Sequence, residues 1–199
     1  MNATLRNPAT FAVIGLAAAL LFAAVWIAAA LLDPSWEFGV NTLSDMGVSD
    51  VQATAYLFNY GCIATGVLIV VYGLGKSEQD GRLGRASGYL VAAAGLFLAL
   101  VGVFDKGFGD GTMHLAVAYP FFAFLALGVL VSIPCDWKAG RKGEAAVGTA
   151  AAAVTVASIA SMKLAFVEAI FVACALAWLV PQNVGTLARS RREARAVAV

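Results

Sequence analysis

The sequence has few charged residues and a single histidine. Charged residues make up 13% of its 199 residues, the formal net charge is +1, and His114 is the one histidine. A soluble domain is typically about 25% charged, so this composition is not that of a soluble domain. The near balance of charge also gives no basic face for nucleic acid. The three cysteines, Cys62, Cys135 and Cys174, form no C-x-x-C pair and predict no disulfide framework.

The scarcity of histidine also excludes several familiar sites. One histidine cannot supply a haem held by paired histidines or a zinc ion held by three. The sequence contains no G-x-x-x-x-G-K-[ST], no H-E-x-x-H and no G-x-S-x-G, so the usual phosphate-binding and hydrolase signatures are absent. We therefore expect no metal site and no cofactor. A metal ion held by His114 with Asp45, Glu168 or Asp105 is a minor variant of the hydrolase hypothesis below, because one histidine with oxygen ligands is a poor set for zinc.

Long apolar stretches dominate what is present. The apolar fraction is 61% and the mean hydropathy is +0.85. A helix that crosses a bilayer core of about 30 Å needs about 20 apolar residues. Six stretches qualify and predict an all-α bundle in a multi-pass protein of the cell membrane: about 10–32, 51–75, 86–104, 113–134, 145–162 and 164–184. We interpret residues 1–199 as one membrane domain that ends in a basic tail, residues 188–199.

Polar and turn residues separate these stretches and predict where helices end. Pro134 is expected to end the fourth helix and Pro181 the sixth. The first stretch is too long for the apolar region of a signal peptide. The fifth is short and rich in alanine, so we expect it to pack inside the bundle, where small residues allow close approach.

The basic residues predict the orientation. With the N-terminus in the cytoplasm, eleven of the 13 lysines and arginines fall on the inner side, and Lys106 and Lys163 fall outside. Such a bias follows the positive-inside rule. An even number of helices then returns the C-terminus to the cytoplasm. The inner basic residues are Arg6, Lys76, Arg82, Arg85, Lys138, Arg141, Lys142, Arg189, Arg191, Arg192 and Arg195.

Polar residues from four segments are expected to meet in the outer half of the bundle. Ser44 and Asp45 lie in the first outer loop, and Asn59 lies about 14 Å into the second helix. His114 opens the fourth helix, and Glu168 is the one acidic residue that we predict within a helix. We expect the inner half to hold almost no ionisable group. Because an ionisable residue inside a membrane is costly, it is a functional hypothesis by default.

Each of these residues also has a structural interpretation that stays open. Asn59 is suited to a hydrogen bond between helices, and His114 to an interfacial or capping role. Asp45 is suited to accepting backbone donors of its own loop, and Glu168 to an ion pair with Lys163. From the position of Lys163 in a tight turn, we expect Glu168 instead to bond His114, Asn59 or a backbone group of the loop.

Short motifs in a fixed order carry a resemblance. They are Asn41-x-x-Ser44-Asp45-x-Gly47, Phe58-Asn59, Gly102-x-Phe104, His114, and Glu168 with Trp178. In this order the chain resembles the uncharacterised six-helix membrane proteins of archaea and bacteria known as domain of unknown function 998. The first motif is also distantly similar to the outer-loop motif of the Frag1/DRAM/Sfk1 group, whose members are linked to lipid handling.

The resemblance implies a fold and a topology, but no established activity. Two positions depart from the family pattern. The family tends to have arginine after the helix-six glutamate and proline after Gly-x-Phe, where this chain has Ala169 and Asp105. The first departure leaves the charge of Glu168 less matched, and no family role passes to Asp105.

Three hypotheses for function follow. The first is a protein that binds or handles a membrane lipid or small amphiphile through an outer pocket formed by Asn41, Asp45, Asn59, His114 and Glu168. The second is an intramembrane hydrolase or transferase, in which Ser44 is the nucleophile, His114 the base and Asp45 or Glu168 the orienting carboxylate. The third is a structural subunit of a homo-oligomer or of a complex with a membrane partner.

Overall fold

The computed structural model describes residues 7–78 and 81–197. Arg6 and the last two residues of the predicted tail lie outside the described residues. Six α-helices follow one another, and a short 3-10 helix, Leu43–Val48, lies between the first two. The α-helices are α1 Pro8–Leu32, α2 Gln52–Ser77, α3 Arg82–Val103, α4 Thr112–Lys138, α5 Lys142–Ser161 and α6 Leu164–Val197.

All six α-helices are long and apolar enough to span a membrane. The chain is therefore a multi-pass membrane protein, and the predicted all-α fold is confirmed. Within the described ranges there is no strand. An isolated β-bridge pairs Phe38 with Asn41. Large apolar side chains such as Leu20, Leu31 and Tyr60 are exposed on the outer faces of the helices, as expected for residues that contact lipid.

Two helices run further than the sequence predicts. Pro134 lies inside α4, which continues to Lys138, and Pro181 lies inside α6, which continues to Val197. The expectation that these prolines end their helices is therefore wrong. A proline removes one backbone donor, and in a membrane bundle neighbouring helices and local adjustments satisfy the freed backbone groups. Residues of the predicted tail up to Val197 are thus helical.

The helices form a ring in chain order, and α6 closes it against α1. The interior is packed by α1, α2, α3, α4 and α6. The prediction that α5 lies inside is wrong, because only 22% of its span is buried, against 50% for α3. The alanine-rich α5 exposes Val154, Val156 and Ile159 on the outside of the ring.

Glycines bring α2 and α3 into backbone contact. A Cβ atom at Gly66 would lie 2.5 Å from the backbone N of Ala99, and one at Gly95 would lie 2.6 Å from the backbone N of Val70. Gly73 and Gly88 repeat the arrangement one heptad away on each helix. Small residues at such positions allow membrane helices to pack without intervening side chains. This contact fixes the position of Asn59, which lies near the start of α2.

The bundle has two chemically different ends. We call the end that carries residues 33–51 the loop end, and the end that carries the start of α1 and the second half of α6 the tail end. The tail end holds the basic residues that predict a cytoplasmic location.

We expect a fluorescent protein fused to the C-terminus to fluoresce in cells. Alkaline phosphatase fused at the same position should be inactive, because that enzyme folds only outside the cytoplasm, whereas phosphatase inserted after Gly109 should be active. The two activities are measured in intact cells that express the fusions. Active phosphatase at the C-terminus would contradict the predicted orientation.

Candidate functional site

The loop between α1 and α2 is held by its own side chains. The carboxylate of Asp33 accepts hydrogen bonds from the backbone N and Oγ of Ser35 and from Oγ of Ser49. The Oδ1 atom of Asn41 accepts from the backbone N of Glu37 at 2.9 Å. Asn41 therefore closes a turn of the loop and does not line the cavities described below.

Asn59 joins the loop to α2 and α3. Its Nδ2 atom donates to the backbone O of Gly47 at 2.9 Å and to the Asp105 carboxylate at 3.2 Å. A Cβ atom at Gly47 would lie 2.5 Å from Oδ1 of Asn59, and one at Gly102 would meet the backbone O of Asn59. The two motif glycines thus make room for the side-chain amide of Asn59 and for its helix. The side chain of Asn59 is hydrogen-bonded within the protein, to the loop and to Asp105.

Asp45 is engaged on both of its oxygens. Its Oδ2 atom accepts from the backbone N of Thr42 at 2.7 Å, which is one half of a capping box for the 3-10 helix. Its Oδ1 atom lies 2.6 Å from Nζ of Lys106, which also donates to Oγ1 of Thr42. Asp45 and Lys106 together fasten the loop to the segment between α3 and α4.

Glu168 bonds the loop from the opposite side. Its Oε2 atom accepts a hydrogen bond from the backbone N of Leu43 at 2.9 Å, at the first turn of the 3-10 helix. The expected bond to a backbone group of the loop is confirmed, and the structure records no ion pair between Glu168 and Lys163 among residues 7–78 and 81–197. A carboxylate near a helix N-terminus is stabilised by the unpaired N–H groups there.

His114 is buried and turned toward the end of α3. Its Nδ1 atom lies 2.9 Å from the backbone O of Phe104. Because a carbonyl oxygen can only accept, Nδ1 carries a proton, and in the neutral ring Nε2 is then the acceptor. This bond ties the start of α4 to the Gly102-x-Phe104 motif.

Ser44, His114 and Glu168 line one small cavity, which we call the loop-end cavity. Its volume is about 30 Å³, and Phe22, Phe58 and Cys62 complete much of its wall. Three of the residues predicted for the outer site therefore come together. Asn41, Asp45 and Asn59 do not line it, because they hold the loop that covers it.

A second cavity, the central slot, adjoins the first and lies nearer the middle of the bundle. Its volume is about 60 Å³ and its wall is almost entirely apolar. It shares Phe22, Leu98, Phe121 and Val172 with the loop-end cavity. Thr65 also lines it, and the Oγ1 atom of this buried threonine has no hydrogen-bond partner. A buried hydroxyl without a partner loses its hydration with no compensation.

The residues of the hydrolase hypothesis are near one another but not bonded as a triad. The Oγ atom of Ser44 lies 3.2 Å from Oγ1 of Thr42, and His114 bonds Phe104. Within the described ranges, no hydrogen bond joins Ser44 to His114 or His114 to a carboxylate. The catalytic roles of Ser44, Asp45, His114 and Glu168 stay a prediction. No group of three or more His, Cys, Asp or Glu residues in the described parts of the chain is arranged to hold a metal ion.

The tail end contains buried ionisable groups that the sequence analysis missed. Asp136 in α4 is fully buried, pairs with Arg141 at 2.8 Å and accepts from the amide of Gln182. Glu144 in α5 pairs with Arg189 in α6 at 2.7 Å. The expectation of an inner half almost without ionisable groups is wrong, as is that of Glu168 as the one acidic residue in a helix. Pro134 predicts a helix end before Asp136, whereas α4 continues to Lys138 and brings Asp136 into the helix.

Comparison with known proteins gives one match. The family described as Protein of unknown function (DUF998) matches residues 16–181. The chain belongs to this family. The resemblance drawn from the motifs is thereby confirmed, while the more distant one to the Frag1/DRAM/Sfk1 group stays a prediction. No curated protein and no solved structure matches the chain, so the DUF998 match supplies a family without an activity.

The stabilising contribution of Asp45 to the fold should decrease in acid. Burial raises the pKa of Asp45, but the hydrogen bonds from Lys106 and Thr42 outweigh it and hold the pKa below its ordinary value. A carboxyl group whose pKa is lowered by folding stabilises the fold above its ordinary pKa, and this contribution is lost as the pH falls below about 4. Asp45→Asn should therefore lower the melting temperature at pH 7 by about 2–4 °C and by less at pH 3.

Thermal unfolding of the purified protein in detergent at both pH values measures this difference. Asp50→Asn removes an exposed carboxylate a few residues further along and serves as the control. An equal loss of melting temperature at pH 7 and pH 3 in Asp45→Asn would contradict the proposed role of the charge.

Thr65→Val should stabilise the empty protein. The substitution removes an unpartnered buried hydroxyl and keeps the shape of the side chain, so a rise of about 2–4 °C is expected from about 1 kcal/mol. Ser132→Ala provides the contrast, because Oγ of Ser132 is equally buried but donates to Val129 and accepts from Trp178. Ser132→Ala should lower the melting temperature. A fall in both variants would show that the Thr65 hydroxyl has a partner.

Proposed function

We propose that this member of the DUF998 family binds a single-chain amphiphile whose head group is a hydroxyl or an ammonium group. The observation that carries the proposal is that two cavities of different polarity are adjacent and share wall residues. The cavity lined by Ser44, His114 and Glu168 adjoins an apolar slot whose wall includes the unpartnered hydroxyl of Thr65. A polar end and an apolar body are the shape of an amphiphile.

The polar end favours a ligand that donates hydrogen bonds. The carboxylate of Glu168 and, in the neutral ring, Nε2 of His114 are acceptors, while the hydroxyl of Ser44 accepts or donates. A carboxylate head group is an acceptor only and would meet these acceptors without a donor. An alcohol has one O–H donor for these acceptors and can itself accept from Ser44, whereas an ammonium group has three N–H donors and in addition pairs with the carboxylate.

The size of the cavities favours one thin chain. A dry cavity of about 150 Å³ holds a benzene ring, whereas the central slot measures about 60 Å³. The slot thus has room for a few methylene groups and not for a ring or for two acyl chains. Because the slot is partly open, the remainder of a longer chain lies outside it. The loop-end cavity, at about 30 Å³, has room for a head group of a few atoms.

The test compares three eight-carbon compounds that differ only in the head group. Octanol, octylamine and octanoate are added to the protein in lipid nanodiscs, and the melting temperature is measured against concentration. Ligand binding to the folded state raises the melting temperature by mass action. We expect a rise with the alcohol and the amine that saturates, and at least a tenfold higher concentration for the same effect with octanoate.

Glu168→Gln keeps an acceptor for the Leu43 backbone but removes the charge. It should weaken the response to octylamine by about tenfold and leave the response to octanol within about threefold. Glu37→Gln, which removes an exposed carboxylate of the same loop, should change neither. Equal responses to octanoate and octylamine in the unmodified protein, or equal losses in the two glutamate variants, would overturn the proposal.

A further inference from the structure

The tail end of the bundle holds a polar cavity, which we call the tail-end cavity. Its volume is about 280 Å³, which exceeds that of either cavity described above. It lies between the start of α1, the end of α2 and the second half of α6. Polar and charged side chains make up most of its wall: Tyr72, Lys76, Arg141, Gln182, Asn183, Thr186, Arg189, Ser190 and Glu193.

The basic residues of this cavity are not arranged as simple determinants of topology. A lysine or arginine that only marks the cytoplasmic side extends its charged head into water. Lys76 is instead 7% exposed, and the side chain of Arg141 is 15% exposed. Both line the cavity wall. Two basic side chains thus line one polar cavity, and hydrogen bonds from lysine and arginine to phosphate oxygens are strong.

The two arginines are oriented from behind by carboxylates. Arg141 is held by Asp136, which is fully buried. In Arg189, Nη1 donates to Glu144 at 2.7 Å and Nη2 donates to Oγ1 of Thr186 at 3.1 Å. A guanidinium group has five N–H donors, so these two bonds leave three N–H groups of Arg189 for another acceptor. Partners of this kind fix the direction in which a binding side chain points.

From this arrangement we propose that the tail-end cavity binds a phosphate group, either free or in the head group of a lipid. Guanidinium groups match the geometry of phosphate oxygens, and an ammonium group adds a point charge. The hydroxyl of Ser190 also lines the cavity. The one carboxylate that lines it, Glu193, is exposed to solvent. A phosphate in the cavity therefore meets the side chains of Lys76, Arg141 and Arg189 at the wall, of which Arg189 has N–H groups left to donate.

The site is separate from the proposed amphiphile site. It shares no lining residue with the loop-end cavity or the central slot. Loss of phosphate binding and loss of amphiphile binding can therefore be observed independently in one preparation. Glu168→Gln is expected to leave phosphate binding unchanged.

The experiment measures phosphate binding in two settings. Inorganic phosphate is titrated into the full-length protein in detergent by isothermal calorimetry, with sodium chloride at equal ionic strength as the blank. In parallel, the protein is placed in nanodiscs that contain phosphatidic acid or, as the lipid control, diacylglycerol, and retained lipid is identified by native mass spectrometry. Binding in the first setting identifies the free ion as sufficient, and binding in the second alone identifies the lipid head group.

Matched variants distinguish specific binding in the cavity from general attraction of phosphate to a positively charged surface. Lys76→Gln and Arg189→Gln should each weaken binding by about tenfold, whereas Arg192→Gln, which removes the same charge from an exposed position of α6, should change it by less than twofold. Ser190→Leu keeps every charge, fills the mouth of the cavity and should also weaken binding. Size-exclusion chromatography verifies that each variant is folded. Absence of binding in both settings, or an equal loss in Arg192→Gln, would overturn the proposal.

Discussion

The loop end depends on satisfying the backbone of the 3-10 helix Leu43–Val48. Most of this helix is buried, and a buried backbone group without a hydrogen-bond partner is costly. Glu168 of α6 accepts from the N–H of Leu43 at its start, and Asn59 of α2 donates to the carbonyl of Gly47 near its end. This short segment is thereby bonded both to α2, which follows it directly, and to α6, which lies much further along the chain. Without these bonds the loop would not be fixed over the loop-end cavity, and Ser44 would not face His114 and Glu168 across it.

The cavities follow the same helices through the bundle. On α2 their walls run from Phe58 through Thr65 to Lys76, which spans about 27 Å at 1.5 Å per residue. On α6 the residues that line the cavities likewise run from Glu168 to Arg189 and beyond. The interior is thus polar at both ends and apolar in the middle, like the membrane around it. The proposed amphiphile site therefore lies at the loop end, and the proposed phosphate site at the tail end.

The family motifs acquire individual physical roles in the structure. Gly47 leaves room for the amide of Asn59, and Gly102 leaves room for its backbone, while Phe104 offers the carbonyl that orients His114. A sequence of short motifs predicts that these residues belong together, because their order is unusual. It does not separate Asp45 and Asn59, which hold the loop, from Ser44, His114 and Glu168, which line the cavity. That difference depends on which way each side chain points after the loop has folded.

The sequence by itself determined the number of helices and their membrane character, because length and hydropathy act locally along the chain. It also indicated that the polar groups of the loop end converge, since alternate connections of a membrane bundle lie at one end. Only the tertiary structure decided that α5 lies at the periphery and that Asp136, Arg141 and Gln182 form a buried cluster at the tail end. Helices α4 and α6 continue through their prolines because packing against neighbours outweighs a lost backbone bond. No local pattern in the sequence predicts these two continuations. They place Arg141 and Arg189 at the wall of the tail-end cavity.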